Sequence, residues 1–389
     1  MKASFSFLVK IQVFLLCLSL AFLCFYFPSL KNEIGNLKKD RAVYKRFFEK
    51  YKTEGEGEQS LVNIAFPDNL EKLSFGESSG LVVKTKKVTI RNVPAPHNGA
   101  IIKHGAGYLM FFRYDVKQKG DYSSYIGCVE LDSNFDQTDK EFLKINTLNN
   151  HSEDPRIFCT EKEAYLVYTQ SEFKKDIYPP FISTVNIAPI DLDNYTLKFT
   201  TKLDPHFHPI EKNWTPFVYN NDIYFQYRIH PQKILLLPDP HVNHLTCLTL
   251  PTANVIQTLP WKENTGGWGT LSGGTPAVNI GNEYLAFFHS SFIGQQDLIW
   301  YSMGAYTFEN HPPFRVTSMS PYPILFSDIY DSVPLNTAEA RKRVIFPASF
   351  VIEKKDGKEW IHLSCGENDA SIKIITLDKE ILLKGLKRI

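Results

Sequence analysis

The chain has 389 residues, of which 43 % are hydrophobic and 22 % charged, a composition that suits a folded protein with a sizeable core and excludes disorder as the default. A formal net charge of +1 excludes the broad basic face of a nucleic-acid-binding protein, so no nucleic-acid partner is expected. Aromatic residues reach 14 %, and 21 Gly and 23 Pro are spread at intervals, which favours many short strands joined by turns over a helical bundle.

Residues 11–27, "IQVFLLCLSLAFLCFYF", carry no charge, follow Lys2 and Lys10, and stop at Pro28. The run is long enough to span a thin bilayer. A cleaved signal peptide is the rival, but bulky aromatics stand where cleavage requires small residues, so residues 1–29 are expected to be an uncleaved single-pass membrane anchor. Lys31, Lys38, Lys39, Arg41, Lys45 and Arg46 follow the run, which by the positive-inside rule keeps the large domain cytoplasmic; an anchor carrying an exported domain stays open. Leu30, Ile34, Leu37, Tyr44, Phe48 and Tyr51 then recur at helical spacing, so residues 30–59 read as a stem helix ending in the polar linker "TEGEGEQ". The stripe packs on the domain or on a second copy of itself, with membrane-surface contact as the alternative. Residues 60–389 form the globular domain.

The cysteines lack metal-ligand spacing, and no Gly-rich phosphate loop or nucleotide fingerprint occurs, so neither metal nor cofactor is expected. Asn150-His151-Ser152 and Asn194-Tyr195-Thr196 match the N-glycosylation pattern, which matters only in a eukaryotic secretory pathway.

Five segments share one plan: an apolar strand, a turn with Gly, Asp or Asn, then an aromatic-rich strand. The first strands lead in with "PHNGAIIK", "EDPRIFCT", "KNWTPFVY", "GGTPAVNI" and "VIFPASFVI"; the second are "GYLMFFRYD", "EAYLVYTQS", "NDIYFQYRIH", "NEYLAFFHSS" and "KEWIHLSCGEND". Proline near each of the five starts fits a strand's first position, where its missing N–H costs no ladder bond. In an antiparallel hairpin the start of the first strand lies beside the end of the second. One end therefore gathers Asn98 with Arg113, Asp154 and Arg156 with Thr169, Lys212 with Arg228, Gly-Thr-Pro with His289, and Pro347 with Asp369. The expected fold is all-β, a five-bladed β-propeller with these polar groups on one rim of its channel.

The ordered set of motifs resembles glycoside hydrolase family 130, the five-bladed phosphorylases and hydrolases of β-mannosides and related β-1,2-mannosyltransferases, from about residue 94 to 386. Asn98 and Arg113 resemble the first blade's Asn-Pro and strand-end Arg. Glu153-Asp154-Pro155-Arg156 matches the second blade's Glu-Asp-Pro/Gly-Arg; Lys212 and Arg228 the third blade's Lys and His-Arg; Phe288-His289-Ser290 the fourth blade's Tyr-His-Gly. Asp369 falls at the closing blade's sugar-binding aspartate. Gly99, Ser290 and Cys365 depart from the family's Pro, Gly and Tyr, which bears on the exact sugar and acceptor.

The resemblance implies Asp154 as general acid, in phosphorylases acting through a sugar hydroxyl. It implies Asn98, Arg113, Arg156 and Asp369 as substrate-binding residues. Lys212, Arg228 and His289 would hold inorganic phosphate or a sugar phosphate as co-substrate, since fixed cations bind the dianion and steady developing charge. Burial would raise Asp154 into the range of a general acid. Taken singly, Asp154 before Pro155 starts a turn, Arg156 is its surface partner, Lys212 and Arg228 are solvated edges and His289 is a core histidine; their shared placement at one rim favours the catalytic reading. Three classes follow: a membrane-anchored phosphorylase or transferase acting on a glycan, a phosphate-independent hydrolase, or a glycan-binding propeller without turnover. A hydrolase would need a second carboxylate as base, and none is identified.

Overall fold

The computed structural model describes residues 80–389 apart from 119–120, 174–180, 204–207, 238–243, 246–247, 250–258, 262–267, 295–297 and 334–341. The expected anchor and stem lie outside the described residues; among those, no helix is long and apolar enough to cross a membrane.

The described residues form an all-β, propeller-like arrangement of five sheets. The first sheet runs His97–His104, Gly107–Gln118, Asp121–Leu131 and Leu143–Lys144. The second is built on Ser152–Cys159, Ala164–Phe173 and Phe181–Asp191, with Thr201–Leu203 outside them. The third contains Thr215–Tyr219, Asp222–Arg228 and Lys233–Leu237. Thr270–Gly273, Glu283–Ile293, Ile299–Glu309 and Val316–Met319 make the fourth. Ile345–Lys355, Lys358–Glu367 and Ser371–Asp378 make the fifth, whose outer edge is the N-terminal strand Val82–Val88.

Local sequence sets these hairpins. Asn220-Asn221 and Asp356-Gly357 are two-residue turns with positive φ at both positions (50° and 67°, 53° and 79°), the geometry that matches the twist of the flanking strands. Alternating side chains then place one face of each sheet against its neighbour.

The apolar contacts run round a ring. Ala100, Leu109 and Phe111 of the first sheet pack with Ile157, Leu166 and Tyr168 of the second. Val167, Val185 and Ile187 meet Trp214, Phe225 and Leu235 of the third. Phe217 and Tyr224 join Leu285 and Phe287 of the fourth and Ile361, Leu363 and Ile375 of the fifth. Ile372 and Ile374 return to Ile101, Tyr108 and Met110 of the first. Val82–Val88 closes the ring in antiparallel register, from Val82 opposite Leu377 to Val88 opposite Ile372.

The fourth hairpin differs from expectation. Its first strand is split into Thr270–Gly273 and Val278–Asn279, both paired to Glu283–Ile293. The break falls where Gly274 is pressed between Phe287 O and Pro347; a Cβ there would lie 2.5 Å and 2.9 Å from them.

The fifth sheet carries a buried ion pair. Lys373 Nζ lies 2.9 Å from Glu367, a residue with no exposed surface. Glu367 also accepts the N–H groups of Asp331 and Ser332, and Lys373 reaches Asp328, so the pair ties the 328–332 loop to the sheet. Breaking a buried pair leaves an uncompensated charge. Lys373→Met is expected to lower the unfolding free energy by about 3 to 5 kcal/mol in urea titration; a loss below about 1 kcal/mol would mean that surface solvation already serves Glu367.

Candidate active site

Three successive first strands have a residue in the left-handed region at or just before their start: Asn98 at φ 49°, Asp154 at 53° and Asn213, two residues ahead of Thr215, at 62°. Asn and Asp tolerate this region better than other side chains. At the first two the strand register shifts, between His97 and Ala100 and between Glu153 and Arg156. Such bulges re-aim a side chain. Here they turn Asn98 and Asp154 toward each other, and Asn98 Nδ2 donates to Asp154 Oδ1 at 2.7 Å.

Arg113 lies midway along the strand Gly107–Gln118, opposite His97. Its Nη1 lies 3.4 Å from Glu153 Oε2 and 3.5 Å from Asp154 Oδ1, and its Nε donates to Asp115 Oδ1 at 3.1 Å. Ser124 Oγ donates to the same Asp115 oxygen at 2.6 Å. His97 Nδ1 faces the Ala95 carbonyl at 3.0 Å and therefore carries the proton there; its Nε2 faces Asp115 Oδ2 at 3.6 Å.

Arg156 is 2 % exposed. Its Nε donates to Gly274 O at 2.5 Å, Nη1 to Asp154 O at 3.2 Å and Nη2 to Asn213 Oδ1 at 3.3 Å, while the guanidinium lies 5.5 Å from the Phe346 ring centre. It is thus a tie between four sheets with two N–H donors left over, and not a surface partner of Asp154. Burial pushes it down to about 10, which leaves it charged at neutral pH.

Lys212 and Arg228 are exposed and line a cleft of about 240 Å³ together with Glu211, Asn213, Ser272 and Gly273. Glu211 is buried and accepts from Trp214 Nε1 (3.2 Å), Tyr227 OH (3.1 Å) and His208 N (3.0 Å). Those bonds fix the backbone that presents Lys212. A roomier cleft of about 370 Å³ opens beside Trp360, His362 and Phe135, but Glu353 there is engaged by Lys103 at 2.5 Å and His362 at 3.4 Å. Convergent carboxyl groups and cations, not size, single out the smaller cleft.

The charge states correct two expectations. Burial alone would raise Asp154, but Arg113, the Asn98 amide, Arg156 and Lys212 outweigh it and hold this carboxyl below the ordinary aspartate value. Glu153 moves the other way: burial, then the negative charge of Asp154, raise it against the pull of Arg113 and Lys212. His289, expected as a cation of the anion clamp, is buried and pushed down to about 3 by desolvation and by the charges of Arg156 and Lys212. It sits 4.7 Å from the Phe346 ring, and its Nδ1 has no hydrogen-bond partner among the described residues. At neutral pH the ring is therefore neutral and adds no charge to the cleft.

Asn98, Arg113, Asp154 and Arg156 are therefore brought together, Lys212 and Arg228 share the adjoining cleft, and His289 joins through Phe346. Asp369 is apart from them: it is half-buried in the turn after Lys358–Glu367, at φ 48°, with no hydrogen bond or ion pair among the described residues. Sequence reasoning assigned no role to Asp115, His97 or Asn213. Asp115 lies two residues beyond Arg113 on the same strand face, a period-two signal that was legible; Asn213 occupies the slot of Asn98 and Asp154.

The family described as beta-1,4-mannooligosaccharide phosphorylase matches residues 67–388. The chain belongs to glycoside hydrolase family 130. Solved structures share the fold at low identity. One is a mannose phosphorylase from Leishmania mexicana in complex with phosphate ion (13 % identity, TM-score 0.54, 81 % of this chain and 93 % of that one). Another is the beta-1,2-mannobiose phosphorylase from Listeria innocua in complex with beta-1,2-mannobiose (13 %, 0.51, 80 % and 98 %). A third is a GDP-Man-dependent mannosyltransferase from Leishmania mexicana (10 %, 0.51, 78 % and 92 %). No curated protein sequence matches the chain. The family comprises mannoside phosphorylases and includes glycoside hydrolases, so this member is a carbohydrate-active enzyme.

A neutral His289 links stability to pH. The unfolded chain protonates this ring near 6.5 and the folded protein only near 3, so between those values the unfolded state binds more protons. Stability contributed by the neutral ring is present above pH 6.5 and is lost as pH falls toward 3. His289→Gln is expected to flatten the pH dependence of the urea midpoint across that window; an unchanged slope would show that the ring is protonated in the fold.

Proposed function

We propose that the chain is a five-bladed propeller enzyme that breaks or builds β-mannosidic linkages with inversion, using inorganic phosphate or a sugar phosphate as its second substrate. Asp154 acts as the general acid and Asn98 and Arg113 orient it. Lys212 and Arg228 hold the anion, with His289 as a neutral donor behind them. In phosphorolysis the phosphate oxygen attacks the anomeric carbon from the face opposite the leaving sugar; that C–O bond breaks and the leaving oxygen takes the proton. The observation that supports this reading is the pairing of an enclosed Asp154 with a cleft whose two exposed cations make no ion pair among the described residues.

Hydrolysis is the second reading, and it needs a carboxylate free to activate water. The carboxylate lining the cleft is Glu211, and its oxygens are occupied by three donors. That favours an anion over water as nucleophile.

The full chain in detergent, incubated with mannobioses of each linkage with and without phosphate, is expected to release mannose 1-phosphate only when phosphate is present. Free mannose in both conditions would select the hydrolase, and sugar binding without turnover a glycan-binding propeller. Asp154→Asn should reduce turnover about 10²- to 10⁴-fold while leaving the thermal midpoint and sugar binding near wild type. Arg228→Ala should raise the KM for phosphate about ten- to a hundredfold, the loss of one charge-assisted contact, with little change for the sugar. Arg228→Lys should recover part of it, because a point charge lacks the guanidinium fork. Equal phosphate KM in wild type and Arg228→Ala would remove the clamp.

A further inference from the structure

Three carboxyl groups converge on Arg113: Asp115 at Nε, Glu153 and Asp154 at Nη1. One guanidinium cannot neutralise three carboxylates in a partly buried site, and the like charges disfavour each other's ionised forms. The remaining charged groups that act here are Arg156, on the same strand as the pair, and Lys212, across the cleft; the His97 ring stands behind Asp115. Asp115 has two donors at 3.1 Å and 2.6 Å, and Asp154 has the 2.7 Å Asn98 amide. Among the described residues, Glu153 has only the 3.4 Å contact with Arg113, which Asp154 also contacts, although its side chain is just 25 % exposed. It is the least well satisfied anion of the three, and the residue on which a proton costs least.

We propose that Glu153 is the proton store of the Glu153–Asp154 pair, and that an oxyanion seated between Lys212 and Arg228 loads it with a proton from solvent. This rests on the reading of that cleft as an anion site. Lys212 acts through space on Glu153, on Asp154 and on His289. A bound dianion takes up that field and adds negative charge of its own, so the proton affinity of the pair rises when the nucleophile arrives. The opposite displacements of the two neighbours, Glu153 upward and Asp154 downward, support the same division of labour.

In the empty cleft Asp154 is held as an anion and has no proton to give; the general acid becomes competent only once the second substrate is in place. The bookkeeping is one proton from solvent to a Glu153 oxygen on anion binding, and in turnover that proton from Glu153 to Asp154 and one from Asp154 to the leaving sugar oxygen, which leaves both carboxyl groups ionised again. No other bond changes in the loading step. Glu153 is a positioning residue that works through Asp154 and touches neither the sugar nor the anion.

The test is calorimetric titration of the full-length protein with sulfate, which stays a dianion from pH 5 to pH 8, in buffers of different ionisation heat. Wild type is expected to take up about one proton per sulfate bound at some pH in that range, with affinity tightening by up to about tenfold per pH unit as pH falls. Glu153→Gln, a neutral isostere of the loaded state, should bind sulfate at pH 8 within about threefold of wild type at the low-pH end of the range, and lose both the uptake and the pH slope. Sulfate binding without proton uptake in wild type would overturn the proposal and leave the anion site standing. Uptake that persists in Glu153→Gln would overturn it by placing the proton on Asp154 or on the His97–Asp115 pair. Absence of binding by both sulfate and phosphate would overturn it together with the anion site.

Discussion

The buried guanidinium of Arg156 is the interaction around which the rest of the site is arranged. A charge enclosed in protein is tolerable only if its donors are satisfied, and Arg156 satisfies three of them on Gly274, Asp154 and Asn213, from the fourth, second and third sheets. Its flat face lies toward Phe346 of the fifth. The requirement fixes the distances between the sheets that carry Asp154, Lys212 and His289. It also explains why Gly274 stands where it does, since the carbonyl that receives Nε can reach it only because no side chain separates Phe287 O from Pro347.

From that tie the electrostatics follow in order. Arg113 and the Asn98 amide, then Arg156 and Lys212, lower Asp154, while burial, with the charges of Arg156 and Lys212, strips His289 of its proton. Arg113 divides its donors among three acids, and Glu153, unlike Asp115 and Asp154, has no further donor among the described residues. A single cluster thus contains an acid held ionised, an acid pushed toward its neutral form and a histidine kept neutral. Three side chains with ordinary titration ranges are separated by environment alone.

Much of the architecture was legible in the sequence because it is written in local chemistry. Asn220-Asn221 and Asp356-Gly357 name their turns, Pro near strand starts marks where pairing begins, and alternating apolar residues give the strand faces. The convergence of Asn98, Arg113, Asp154 and Arg156 followed from antiparallel pairing, which forces the start of one strand beside the end of the next. Charge state was not legible. Whether burial or a neighbouring cation governs Asp154 depends on Arg113 and Lys212 crossing from other sheets, and His289 reads as a cation until the Phe346 ring is placed against it. The split in the fourth hairpin depends on a contact between Gly274 and Pro347 that no local pattern encodes. Asp369 matched a family position, yet its left-handed turn leaves it without a partner in the cluster.

The closing strand sets a condition on how the molecule is made. Val82–Val88 is among the first described segments to be synthesised, yet its partner is Ser371–Asp378, near the end of the chain. Pairing at such separation is slow to search, since the loop-closure entropy is lost before any contact compensates it. Until the last sheet exists, the first strand has nowhere to dock, and its own apolar residues Val82 and Val88, buried in the finished fold, are bare. A nascent chain therefore carries an unpaired edge throughout elongation, the kind of surface on which strands of different molecules join. The same seam that makes the finished ring continuous makes its assembly the stage most exposed to aggregation.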